Sequence, residues 1–204
     1  HGWEVIHASG LVVAGAGVAL CGDSEAGKST LAYAWRRRGG DIYADDAVFL
    51  RVEGSSVSLQ PLPFRVRLRP PSLSYFGAGV PVLDEPGENG CFAATSCGIA
   101  LRAIYLLQRR REGGEGGCTL QPVAPADAFA ALLQHMFCLT AQDRARNCLM
   151  VQNYVSLADA VPTFSLSYPT GLDHVDRILD RLHEHVAALV KTSAATAGAQ
   201  VERT

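Results

Sequence analysis

Cys21 to Thr30 reads CGDSEAGKST, and within it Gly22-Asp-Ser-Glu-Ala-Gly27-Lys28-Ser29 fits the pattern G-x-x-x-x-G-K-[ST]. A glycine-rich turn of this kind leaves several backbone N–H groups pointing into one concavity. The helix that follows adds partial positive charge at its N-terminus. A lysine at the sixth pattern position after the first glycine reaches outer phosphates, and the next hydroxyl suits Mg²⁺. The residues expected to bind a nucleotide are therefore Gly22, Asp23, Ser24, Glu25, Ala26, Gly27, Lys28, Ser29 and Thr30. Lysine is otherwise almost absent, with only Lys191 elsewhere, so the placement of Lys28 is specific.

A second chemical feature lies eighteen residues beyond Lys28, where Asp45-Asp46 follows a short apolar stretch. One carboxylate beside phosphates can hold Mg²⁺, and a second can accept the proton of an attacking hydroxyl. Neighbouring carboxylates on a strand point to opposite sides unless the backbone turns there, so the two are expected to differ in role. An acidic solvated turn is the plain alternative.

These groups need elements to carry them. Val18 to Cys21 reads as an apolar strand running into the loop, and Ser29 to Arg38 as a helix stopped by Gly39-Gly40. Trp3 to His7 and Leu11 to Ala14 read as strands, with a turn at Gly15-Ala-Gly17. Asp41 to Ala44 reads as a strand ahead of Asp45-Asp46, and Val48 to Leu59 as a hairpin. Phe64 to Arg69 alternates apolar and Arg, which predicts a strand with Arg65, Arg67 and Arg69 on one face. Pro70 to Gly98, rich in Pro, Gly and Ser, predicts a long irregular loop. Downstream, strands are expected at Ile104 to Leu107, Thr119 to Val123 and Pro162 to Tyr168. Helices are expected over Pro125 to Leu139, Ala141 to Leu157 and Leu172 to Leu189, with a disordered tail from Thr192. His183 and His185, two apart on a helix, read as surface residues.

The composition frames the reading. The chain has 204 residues, 48% hydrophobic and 19% charged, with a net charge of −2. It is long enough for one domain with a sizeable core and is not a basic nucleic-acid surface. It shows no membrane-length apolar run. Six cysteines without a C-x-x-C pair read as buried, reduced thiols of a cytoplasmic protein. An upstream segment is expected ahead of His1. Self-association is left open.

As a set, His7-Ala-Ser-Gly-Leu-Val-Val-Ala-Gly15-Ala-Gly17, the loop through Ser29, Arg38-Gly39-Gly40 and Ala44-Asp45-Asp46 resembles the catalytic core of the HPr kinase/phosphorylase family. The resemblance covers about the first fifty residues. It implies an α/β fold with a mixed sheet around the phosphate loop, akin to phosphoenolpyruvate carboxykinase, over residues 1–191. It also implies an ATP- and Mg²⁺-dependent kinase acting on a serine of a peptide or small protein. Carried over by position, Asp46 would be the general base, assisted by Asp45 and His7, with Ser29 and Asp45 holding the metal. The family's downstream Leu-Glu-x-Arg-Gly-x-Gly stretch is absent, and Glu25 stands where Gly is usual. Phosphorylase activity and HPr as acceptor therefore do not follow. Asp84, Glu85 and Glu88 are candidates for the missing metal-binding Glu, though an exposed acidic loop is the plainer reading. The chain is more similar to shorter HPr-kinase-related proteins, some from biosynthesis clusters for ribosomally made peptides such as lasso peptides. Two other readings stay open: a kinase for a small-molecule hydroxyl, and a nucleotide-binding module without transfer.

Overall fold

The computed structural model describes residues 2–61, 64, 66–77, 98–110, 117–137 and 142–201. It is a mixed α/β structure whose centre is a run of strands that alternate between two cores. Strand β3 (Ala16–Cys21) is buried along its whole length. Its Val18 and Leu20 enter one apolar cluster, while Ala19 and Cys21 enter the other. That is the outcome of period-two side-chain alternation in a strand covered on both faces.

The strands β1 (Trp3–Ile6), β2 (Ala8–Val13), β4 (Asp41–Ala44), β5 (Val48–Glu53), β6 (Ser56–Gln60) and β7 (Ile99–Arg110) join β3 in the order β1-β5-β6-β7-β3-β2-β4. Beyond this path, β9 (Thr163–Pro169) pairs parallel with β7, and β8 (Thr119–Val123) pairs antiparallel with β9. Because β3, β7 and β9 are parallel, their C-terminal ends share one edge. Crevices at such edges are where open α/β sheets place ligands.

Helices α1 (Lys28–Arg37) and α5 (Val175–Val201) cover one face, with Leu31, Ile178, Leu179 and Leu182 in the cluster that also holds Val18 and Leu20. Helices α3 (Pro125–Leu133) and α4 (Arg144–Ala160) cover the other through Leu132, Tyr154 and Leu157. Arg38, the C-cap of α1, ties α1 to α5 through Asp176 at 2.6 Å and Asp180 at 2.7 Å. Among the described residues, no helix is long and apolar enough to cross a membrane.

Several expectations need correction. The first hairpin turns at Ala14-Gly15, both with positive φ, 49° and 76°, and Gly17 lies inside β3. Two residues at positive φ are what a tight hairpin requires, and Val13 pairs with Ala16 across it. Phe64 to Arg69 is not a strand: its described residues carry no ladder. Val66 is nevertheless buried, and Phe64 and Leu68 pack against the core, so the apolar positions of the alternation are the ones that meet it. The irregular loop expected from Pro70 begins instead with a short helix, α2 (Pro70–Phe76), whose two leading prolines occupy positions that need no intrahelical N–H. Residues 78–97, including Asp84, Glu85 and Glu88, lie outside the described residues, as does Arg65.

Helix α3 stops at Leu133, and Met136 forms a bridge with Ile6 instead of continuing it. Helix α5 runs through the expected tail to Val201, in keeping with the high helix propensity of its alanines. His183 is exposed, but His185 is half-buried, with its Nδ1 2.8 Å from the Tyr105 hydroxyl. Of the described cysteines, Cys21 is buried, Cys118 half-buried and Cys148 exposed, and all three are free thiols. Cys91, Cys97 and Cys138 lie outside the described residues.

Candidate functional site

Strand register gathers the candidate residues at one end of the sheet. Ala8 pairs with Cys21, so His7 sits beside Gly22 at the mouth of the loop. Gly10 pairs with Ala44 on the opposite side of β2, which sets Ser9 beside Asp45. An antiparallel strand between β3 and β4 thus brings the glycine loop, His7 and the carboxylate pair together.

The loop's backbone explains its glycines. Gly27, the residue ahead of α1, has φ 100°, a left-handed conformation that favours glycine. A side chain on Gly22 would meet Ala26 Cβ at 2.9 Å and Leu107 Cβ at 3.1 Å. Glu25 also has positive φ, 69°, and the loop is braced around it. Arg69 donates to the Glu25 carboxylate, Arg109 to its carbonyl at 2.7 Å, and the Tyr168 hydroxyl to the Ala26 carbonyl. Arg109 and Tyr168 were not identified from sequence. They reach the loop from the ends of β7 and β9, and no local pattern marks them.

Helix α1 has ten residues, no side-chain cap at its N-terminus and no acidic residue in its first turn. Its leading N–H groups therefore face the loop without a competing carboxylate on the helix itself, an arrangement suited to an anion. Lys28 is buried, and its Nζ donates to the carbonyls of Gly22 at 2.7 Å and Asp23 at 3.1 Å. Burial pushes the amine pKa down, while Cys21, Asp46, Asp45 and Asp23 oppose the shift.

A cavity of about 580 Å³ opens over this helix end. Its wall includes Ser24 to Leu31, His7 and Asp46, together with Arg67 to Ser72 and residues of β9 and α5. Gly22 and Asp23 form the back of the loop, with their carbonyls turned to Lys28 and not among the lining residues. Thr30 is engaged by α2 through Ser72, 3.1 Å between hydroxyl oxygens. The described start of the Pro70 segment thus borders the cavity.

The carboxylates differ as their positions require. Asp46, at φ 65°, is exposed and lines the cavity. Asp45 is buried, and the Ser9 hydroxyl donates to its Oδ1 at 2.5 Å. Its Oδ2 is buried with no hydrogen-bond partner. Burial raises the Asp45 pKa from 3.8 to about 6, against the pull of the Ser9 and Ser29 hydroxyls. His7 is held below its ordinary value by burial and by Lys28, with Asp46 opposing, so it is neutral at pH 7.

The Ser29 hydroxyl and the Asp45 carboxylate, whose own Oδ2 is the unsatisfied buried oxygen, are hard oxygen ligands of the kind that fits Mg²⁺. Among the described residues, no group of three or more His, Cys, Asp or Glu side chains could hold a metal. A magnesium ion here would take its remaining ligands from phosphate and water, which is its usual habit.

The buried carboxylate carries a stability prediction. A raised folded-state pKa means the folded protein binds the extra proton between about pH 4 and 6, so stability falls as pH rises through that window. Asp45→Asn removes the cost, because the amide oxygen can still accept from Ser9 and the side chain carries no charge to desolvate. Ligand-free Asp45→Asn is expected to be more stable than wild type at pH 8, by at most about 3 kcal/mol, and little different near pH 4. Thermal melts at both pH values check this; an Asn variant less stable at pH 8 would show that Asp45 is held by partners stronger than its burial.

No family model matches the chain, and no curated protein matches it. Among solved structures, the Hpr(Ser) kinase/phosphatase from Coxiella burnetii is similar at 13% identity, covering 98% of this chain and 96% of that one, with a TM-score of 0.45. At that distance no residue role is carried over from it.

Proposed function

We propose that this chain transfers the γ-phosphate of ATP to a serine hydroxyl of a peptide or small protein. The observation that carries the reading is the shared cavity. It brings an uncapped helix N-terminus with Lys28 to one wall and an exposed carboxylate, Asp46, to another. The resemblance of the first fifty residues to HPr kinases supports the same assignment.

In this reading the phosphates lie on the N–H groups of residues 24–30, with Lys28 leaving the Gly22 and Asp23 carbonyls to meet the outer ones. Mg²⁺, when bound through Ser29 and Asp45, neutralises charge on the β- and γ-phosphates. Asp46 accepts the serine proton as the hydroxyl oxygen forms its bond to the γ-phosphorus. The bond from that phosphorus to the bridging oxygen breaks, and ADP leaves. Neutral His7, beside Asp46, orients the reacting groups. Ser9 fixes Asp45 so that its second oxygen stays available. Ser9 was missed in the sequence because nothing there shows β2 lying between β3 and β4.

The test is incubation with ATP labelled at the γ-phosphate, Mg²⁺ and a mixture of serine-containing peptides. Labelled phosphoserine is the expected product. ATP binding without any labelled product would favour the binding-module reading, and label on a small-molecule hydroxyl alone would favour the other kinase reading.

A further inference from the structure

In the kinase reading the acceptor hydroxyl meets Asp46, which lines the cavity with His7, and against His7 lies an aromatic ring used by neither core. Residues 135–137 form a strap after α3, pinned by backbone bonds to β1 and to His7 just beyond it. His7 N–H donates to the His135 carbonyl at 2.6 Å, and Phe137 N–H to the Val5 carbonyl at 3.1 Å. Met136 bridges Ile6 between them. Met136 packs against the core, but Phe137 does not join either cluster and is 40% exposed. Its ring is stacked on His7, with centroids 6.1 Å apart and planes at 27°. His7 in turn lines the cavity together with Asp46. The backbone thus holds a partly exposed apolar ring against His7, which shares the cavity wall with Asp46.

Resting on the kinase reading above, we propose that Phe137 is the platform for an apolar side chain flanking the acceptor serine. A flanking aromatic or aliphatic residue loses water against the ring face, and an aromatic one adds ring–ring attraction. Because the strap is already ordered, little conformational freedom is lost on docking. With the flanking side chain on Phe137, the serine hydroxyl is carried past His7 toward Asp46. The acceptor class is therefore a serine beside an aromatic or large aliphatic residue, not one set among charges.

The experiment uses the full chain, ATP, Mg²⁺ and a positional-scanning library of serine peptides, with phosphorylation read at each randomised position. Wild type is expected to prefer Phe, Leu, Ile or Met beside the serine over Asp or Gly by about ten- to hundredfold. Phe137→Ala should flatten that preference while ATP affinity, measured by calorimetry, stays unchanged. Phe137→Leu should retain it, and Phe137→Glu should move it toward Lys and Arg at the same position. Phosphorylation with no apolar preference in wild type, or with a preference that survives both Phe137→Ala and Phe137→Glu, overturns the inference and leaves the kinase reading standing. If the alanine variant fails to fold, the Leu and Glu variants carry the same decision. Wild type that binds ATP but phosphorylates no peptide overturns the peptide-kinase reading, and this inference with it.

Discussion

Lys28→Ala is expected to lose ATP binding and, with it, all phosphate transfer. The side chain is buried at the first residue of α1, with its amine at the loop's own carbonyls. Without it, the carboxylates of Asp23, Asp45 and Asp46, which act on its amine, would lose the lysine charge that offsets them. Removing one member of a desolvated, charge-assisted contact costs about 2–5 kcal/mol, or roughly 30- to 5,000-fold in affinity. Lys28→Arg is expected to fail as well. The guanidinium is wider and planar, and the ammonium point charge is what fits between the Gly22 and Asp23 carbonyls. Calorimetry with ATP and Mg²⁺ measures the loss, and a melting curve establishes that the variant is folded. Wild-type affinity in a folded Lys28→Ala protein would remove the phosphate site from this loop.

Asp46→Asn separates binding from chemistry. Asp46 is the exposed member of the pair, turned out of strand β4 by its positive φ, whereas Asp45 is buried under Ser9. The exposed carboxylate can meet a hydroxyl arriving from solvent. Asparagine keeps the shape but cannot take the proton. ATP binding is expected to survive, and to strengthen slightly as a negative charge leaves the phosphates. Transfer is expected to fall by about 10²–10⁴-fold. The paired measurement is ATP affinity by calorimetry and the single-turnover rate to a serine peptide. Transfer at the wild-type rate would refute the general-base role. Loss of ATP–Mg²⁺ binding as deep as that of Lys28→Ala would make Asp46 a metal ligand and Asp45 the candidate base.

The parts of the site that sequence reveals are those encoded locally. The apolar run from Val18, the glycines and Lys28 describe the loop, the end of strand β3 and both ends of α1 to within one residue, while β3 itself begins two residues earlier, at Ala16. Asp41 to Ala44 and the carboxylates after it are legible for the same reason. What joins these pieces is register, and register is not local. Ser9 reaches Asp45 only because β2 pairs with β3 on one side and β4 on the other. Arg109 and Tyr168 reach the loop from strands whose parallel pairing no short pattern reveals. The alternation at Phe64 to Arg69 was misleading because a segment packed against a core alternates as a strand does. The prolines at the start of α2 masked a helix, yet its Ser72 closes one wall of the cavity against Thr30.

The central claim is that the loop at the head of α1 is a nucleotide site facing two carboxylates of different role. A crystal structure with a non-hydrolysable ATP analogue and Mg²⁺ tests it most directly. The β- and γ-phosphates are expected on the backbone N–H groups of residues 24–30, with Lys28 Nζ moved from the Gly22 carbonyl to a phosphate oxygen. The metal is expected on Ser29 and Asp45, and Asp46 facing the γ-phosphate across from His7. Phosphates bound away from α1, or a Lys28 that keeps its carbonyl contacts beside an analogue bound elsewhere, would contradict that claim.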